Sequence, residues 1–157
     1  MDSEEIKLTD DIVMIQMLVN QAPTFAVDVN GSFIKWGKDN CYPSFILNLF
    51  ENHAEHGAIV RGKARYITGN KIITNLEQPN LLLDQWLLKA NDYEDWFTLK
   101  RKCDFDKVLY GGFAVQINTN PLGQPVKYTH LDMGKLRISE NLDGVWYSDE
   151  WMAKKWR

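Results

Sequence analysis

The run Val108-Leu109-Tyr110-Gly111-Gly112-Phe113-Ala114-Val115-Gln116-Ile117-Asn118 decides the plan of this chain. Up to Tyr110, apolar residues recur at helical spacing, with Trp96, Leu99, Cys103 and Val108 near one face. From Phe113 to Asn118 apolar and polar residues alternate, which marks a half-buried strand. The glycine pair stands at the change of period. Glycine enters the left-handed conformation at a helix end without a Cβ clash, and a second glycine lets the chain turn sharply into the strand. Helices before this point and antiparallel strands after it predict an α+β domain.

Working back from the pair, Asp92 is expected to cap the helix that ends near Tyr110. A short apolar helix is expected from Leu81 to Ala90, a loop from Asn75 to Asn80 with Pro79 in it, and a short strand from Lys71 to Thr74. Gly69-Asn70 stops a helix predicted over Ala54 to Thr68, with Ile59, Ala64, Tyr66 and Ile67 as apolar positions. A break at Asn52-His53 separates it from a helix opened by Pro43, where Phe45, Ile46, Leu49 and Phe50 keep helical spacing. Gly37 to Tyr42 reads as a loop. Phe25–Val29 and Ser32–Trp36 read as a hairpin about Asn30-Gly31, the pair that best tolerates the positive φ angles of a tight turn. Ile12 to Val19 is too brief for periodicity to assign, and residues 1–10 read as a flexible amino terminus.

Working forward, Pro121-Leu122-Gly123-Gln124 is a turn, Val126 to Leu131 and Lys135 to Ser139 are strands, Asn141 to Gly144 is a turn, and Val145-Trp146-Tyr147 begins another strand. The expected whole is an amino-terminal hairpin and helices followed by an antiparallel β-meander, a single α+β domain over residues 11–157. The chain stops soon after a strand with no closing element, and so reads as truncated at its carboxyl end.

Composition narrows the function classes. The chain has 157 residues, 45% hydrophobic and 25% charged, enough for one domain with a core. A net charge of −3 without a long basic block argues against sequence-specific DNA binding. Six tryptophans lean towards an assembly subunit, since Trp and Tyr are enriched at interfaces. Cys41 and Cys103 lack metal-ligand spacing, and Met1-Asp2-Ser3-Glu4-Glu5 lacks a charged-then-apolar leader, so both thiols are expected reduced and partly buried. The longest apolar stretch, Ile12 to Val19, is too short for a bilayer.

The search for chemistry yields no site. Gly37-Lys38 is followed by Asp39 where a phosphate loop needs Ser or Thr. His53-Ala54-Glu55-His56 departs from His-Glu-x-x-His and has no Pro-Cys-x-x-Cys partner for a zinc deaminase, so it reads as a solvated helix junction. Asp92, Glu94 and Asp95 suit a helix start, where acids complement the backbone dipole. Lys100-Arg101-Lys102 and Lys154-Lys155-x-Arg157 read as solvated faces. No serine has a nucleophile-elbow context. The expectation is no catalysis, no cofactor and no metal.

The order of motifs is more informative. Trp36-Gly37-Lys38-Asp39-Asn40-x-Tyr42-Pro43 resembles the Gly-x-x-Asn-x-Tyr-Pro loop of portal proteins of tailed phages and prophages, particularly those of Bacteroidetes hosts. Ala58-Ile59-Val60-x-x-Lys63-Ala64-x-Tyr66-Ile67-x-Gly69 resembles the helix that follows it in that family. Asp106-x-x-Leu109-Tyr110-Gly111-Gly112-Phe113-Ala114 is similar to its helix-to-strand turn, and His130-Leu131-Asp132-x-x-x-Leu136-Arg137 to the next strand, where other portals often carry a proline at Leu131 or Asp132. The resemblance runs from about Trp36 to Trp151. It implies the outer wing of a subunit of a ring, dodecameric in the family, through which DNA enters and leaves the capsid.

The resemblance singles out Gly37, Asn40, Tyr42, Pro43, Tyr66, Gly69, Tyr110, Gly111, Gly112, His130, Asp132 and Arg137 as structural residues. It implies as partners the other portal subunits, terminase, capsid and head-completion proteins, and double-stranded DNA passing non-specifically through the full ring, with no membrane. The implied location is the capsid vertex of the virion, and the host cytoplasm during assembly. Stem, clip and crown have no counterpart here, so no channel-lining residue carries over and the chain alone is expected to oligomerise weakly. A reading of another class is a small non-enzymatic protein-binding or adaptor domain.

Overall fold

A computed structural model describes residues 26–27, 32–37, 39–74, 80–149 and 151. The expectations for residues 1–10, Ile12–Val19, the Asn30-Gly31 turn, residues 75–79 and Trp156 fall outside the described residues. The fold is α+β, with helices α1 (Tyr42–Asn52), α2 (Ala54–Thr68), α3 (Leu81–Leu87) and α4 (Trp96–Tyr110) preceding most of the strands. Among the described residues no helix is long and apolar enough to cross a membrane.

The described residues form two compact units. One runs up to Tyr42 and includes Arg137–Trp146 and Trp151; the other holds Pro43–Leu136 and residues 147–149. In the first, β1 (Ala26–Val27) pairs antiparallel with β2 (Ile34–Lys35), Ala26 opposite Lys35 and Val27 opposite Ile34. Phe33 bridges to Ser139.

The second unit is built on the helices. Proline sits in the first turn of α1, where its missing N–H costs nothing. The break at His53 is held by Gly57, whose N–H donates to the His53 carbonyl at 2.8 Å. A Cβ on Gly57 would come within 2.7 Å of the Phe50 carbonyl oxygen, so no side chain fits where α1 gives way to α2. Residues Gly57, Val60, Ala64 and Thr68 form the buried stripe of α2, at spacings of three and four. On α4 the buried positions are Leu99, Cys103, Asp106 and Leu109. Each fully buried aliphatic side chain in these stripes is worth about 1.5–3 kcal/mol. Ala90, Leu99 and Cys103 form the core cluster, covered by Trp96, Val115 and Tyr128. Trp96 packs between Trp86 and Tyr128 with the rings tilted, the centroids 4.4 and 4.6 Å apart.

Three expected boundaries are corrected. Asp92 does not cap α4. Ala90 and Asn91 donate their N–H groups to the Glu94 carbonyl, while Asn91 Oδ1 accepts from the N–H groups of Tyr93 and Glu94. That turn consumes residues 90–94, and Asp95 becomes the cap, accepting from Thr98 N–H at 2.6 Å. The same turn shortens the preceding helix to Leu81–Leu87. Lys71 to Thr74 is not a strand: no ladder among the described residues takes it, and Ile73 is largely exposed.

After Gly111, at φ 85°, strand β3 (Ala114–Thr119) pairs with β4 (Pro125–Leu131) from Ala114 opposite Leu131 to Asn118 opposite Lys127, with an irregularity at Asn118–Thr119. A 3-10 turn at Met133–Lys135 then redirects the chain, and β5 (Leu136–Ile138) pairs with β6 (Val145–Tyr147). The strands after α4 are therefore two successive hairpins, because the turn separates β4 from β5.

Candidate functional site

Most of the residues singled out from the sequence gather at two joints. In the first unit, the loop before α1 puts Gly37 at φ 83° and Asn40 at φ 64°, a conformation asparagine tolerates better than most residues. This aims the Asn40 carboxamide inward. Its Oδ1 accepts from Trp36 N–H at 3.2 Å and from Arg137 Nε at 2.5 Å, and its backbone oxygen accepts from Arg137 Nη2 at 3.0 Å. Arg137 is 1% exposed. Its guanidinium lies 4.7 Å from the Trp151 ring centroid, within cation–π range. Burial pushes its pKa down to about 10, still far above neutrality, so it is a buried cation. The Tyr42 N–H closes the loop on the Trp36 carbonyl at 3.2 Å.

The second joint lies where α4 meets the strands. Asp106 is buried, and its Oδ2 accepts from Met133 N–H at 3.0 Å and sits 2.8 Å from His130 Nε2. Asp132 caps the 3-10 turn, accepting from Gly134 N–H at 2.9 Å. The Tyr110 ring crowds Gly134, where an added Cβ would stand 2.8 Å from the phenol oxygen. Burial, and then the carboxylates of Asp132, Asp106 and Glu51, push the Tyr110 phenol up to about 12. Gly112 comes close to Met133 across this joint. Tyr66 is almost wholly exposed and Gly69, at φ 72°, only ends α2; neither joins a cluster. Pro43 is fully buried.

The remaining candidates stay apart. His53, Glu55 and His56 are exposed, and among the described residues no three His, Cys, Asp or Glu side chains could hold a metal ion. Burial, with Asp39 beside it, raises the Cys41 thiol; burial, with Asp106, Asp104 and Glu94 near it, raises Cys103. Both thiols are therefore protonated at neutral pH and poor nucleophiles. Lys100 pairs with Asp104 at 2.5 Å and also meets the carbonyls of Ile67 and Thr68, which caps the end of α2.

Sequence reading missed a cavity of about 650 Å³ in the second unit, formed by α2, α4 and His130. Arg61 and Arg65 enter it from α2, and Arg101 and Lys102 from α4, with Phe97 and Phe105 between them. Its signal was present in the spacing: Arg61, Ala64, Arg65 and Thr68 share one helical face, as do Phe97, Arg101 and Phe105. Reading the Lys100–Lys102 run as a solvated face hid it. Comparison with family models, with curated proteins and with solved structures gives no match for this chain.

Proposed function

We propose that the chain is a structural subunit, or part of one, of a phage portal ring at the capsid vertex. The observation that carries this reading is the tie between Asn40 and Arg137. The two belong to separate motifs of the portal resemblance and lie 97 residues apart in sequence, yet their side chains meet at 2.5 Å in the buried interior. Two stretches that the resemblance treats as separate motifs thus form one buried joint, as parts of a single scaffold would. Half-exposed aromatic side chains such as Trp146 and Tyr147 offer surface for neighbouring subunits.

Particles purified by density gradient from an induced or infected culture test this. Quantitative peptide mass spectrometry is expected to find the chain at a fixed ring number per particle, and antibody labelling to place it at one vertex. Its absence from purified particles would overturn the reading.

A further inference from the structure

Positive charge lines the cavity between α2 and α4, and only part of it is directly paired with a carboxylate. Lys102 is paired with Glu94 at 2.5 Å, but Arg61, Arg65 and Arg101 form no salt bridge among the described residues. Arg61 and Arg65 are four residues apart on one helix, a spacing at which like charges repel. The one carboxylate in the lining, Asp106, is buried and already engaged by His130 and Met133 N–H. Arg61 also lies over the Phe50 ring, 4.7 Å from its centroid, and Arg101 acts on the Asp95 carboxylate without a direct bond; a bound anion would give the guanidiniums the direct partner that the protein does not.

The rest of the lining restricts which anion. Phe97 and Phe105 supply aromatic surface, and Asn70 supplies both a donor and an acceptor at the rim. The volume of about 650 Å³ suits a small molecule and exceeds what a bare phosphate fills. We infer that this cavity binds a phosphate ester carrying a flat ring, the mononucleotide unit, free or within a single strand. The guanidinium fork matches phosphate in a bidentate fashion, and a base stacks on phenyl surface whatever its sequence. An acidic peptide would satisfy the arginines but would bring backbone N–H and C=O groups against phenyl rings that cannot pair with them. The inference goes beyond the ring assignment, and its failure would leave that assignment standing.

The test is calorimetric titration of the full chain at low salt with AMP, inorganic phosphate, a short oligothymidylate and hexaglutamate. AMP is expected to bind at least about tenfold tighter than inorganic phosphate, the contribution of one stacked ring. Arg65→Gln and Arg101→Gln change exposed side chains, so circular dichroism should show both folded, and each should weaken AMP by about tenfold or more. Tighter binding of the oligothymidylate than of AMP would assign the strand as the source; equal or weaker binding would assign the free nucleotide. The inference is overturned if neither AMP nor the oligothymidylate saturates, if phosphate or hexaglutamate binds as well as they do, or if both variants bind unchanged.

Discussion

Replacing Asn40 tests the joint on which the functional proposal leans. Its carboxamide oxygen accepts two hydrogen bonds, one from a backbone N–H and one from the buried Arg137 cation, and its backbone sits at φ 64°. Three substitutions separate these contributions. Asn40→Gly keeps the backbone conformation and loses the carboxamide. A hydrogen bond to a charged group is worth about 1.5–3 kcal/mol and a neutral one about 1 kcal/mol, so Asn40→Gly should cost about 2.5–4 kcal/mol. Asn40→Ala loses the same bonds and adds a Cβ in the left-handed region, for about 1 kcal/mol more. Asn40→Asp keeps an acceptor facing the guanidinium and tolerates the same φ, so it should stay within about 1 kcal/mol of the parent.

Urea unfolding followed by tryptophan fluorescence and by circular dichroism measures all three, with coincident transitions licensing the comparison. In a chain of this length each 1 kcal/mol moves Tm by about 2–4 °C, so Asn40→Ala should melt about 10 °C lower. The reasoning is refuted if Asn40→Ala lies within about 0.5 kcal/mol of the parent. It also fails if the glycine variant is less stable than the alanine variant, because then the positive φ is not what selects asparagine.

Two other substitutions probe the helix boundary and the second joint. Asp95→Ala should cost about 1 kcal/mol in urea unfolding, the usual worth of an N-cap, whereas Asp92→Ala should leave the transition where it was because the Asp92–Lys127 pair is at the surface; the reverse order would restore Asp92 as the cap. Tyr110 has a folded pKa near 12, above its ordinary value of 10.0, so the folded state holds the proton longer. Its contribution to stability is complete below pH 10 and is lost as pH rises towards about 12. Tyr110→Phe should flatten that part of the stability–pH curve, and an unchanged slope would show that Tyr110 is not the group responsible.

Local rules made most of the fold legible. Gly69 and Gly111 stop helices at positive φ, as glycine past a periodic run predicts. β1 and β2 pair antiparallel, as expected of the two segments read as hairpin strands. Misreadings arose where two residues could do the same work. Asp92 and Asp95 are equally good caps by composition, and only the Asn91 turn, closed by a carboxamide three residues from its target, decides between them. The short run Lys71–Thr74 has strand composition, but a strand is defined by a partner that a single segment cannot reveal. The cavity was illegible for a related reason: its arginines come from two helices, and each helix alone presents an ordinary polar face.

Several of the residues that carry the portal resemblance do one kind of work in this molecule, although Tyr66 is exposed and takes no part. Gly37, Asn40 and Gly111 supply backbone turns that few other residues can make; Asp132 holds the turn between β4 and β5; Arg137 and His130 reach back from the strands to Asn40 and Asp106. Gly37, Asn40 and Gly111 stand where helix and strand meet, Asp132 stands between two strands, and the ties made by Arg137 and Asp106 are buried. Burial sets these two ties apart from the ion pairs at the surface. Surface ion pairs such as Lys135–Asp149 are screened in salt, within a Debye length of about 8 Å at physiological strength. A guanidinium enclosed with its acceptor is screened far less, and removing either partner leaves a buried polar group unsatisfied. A joint built in this way should therefore keep its strength as salt rises, where the surface pairs lose theirs.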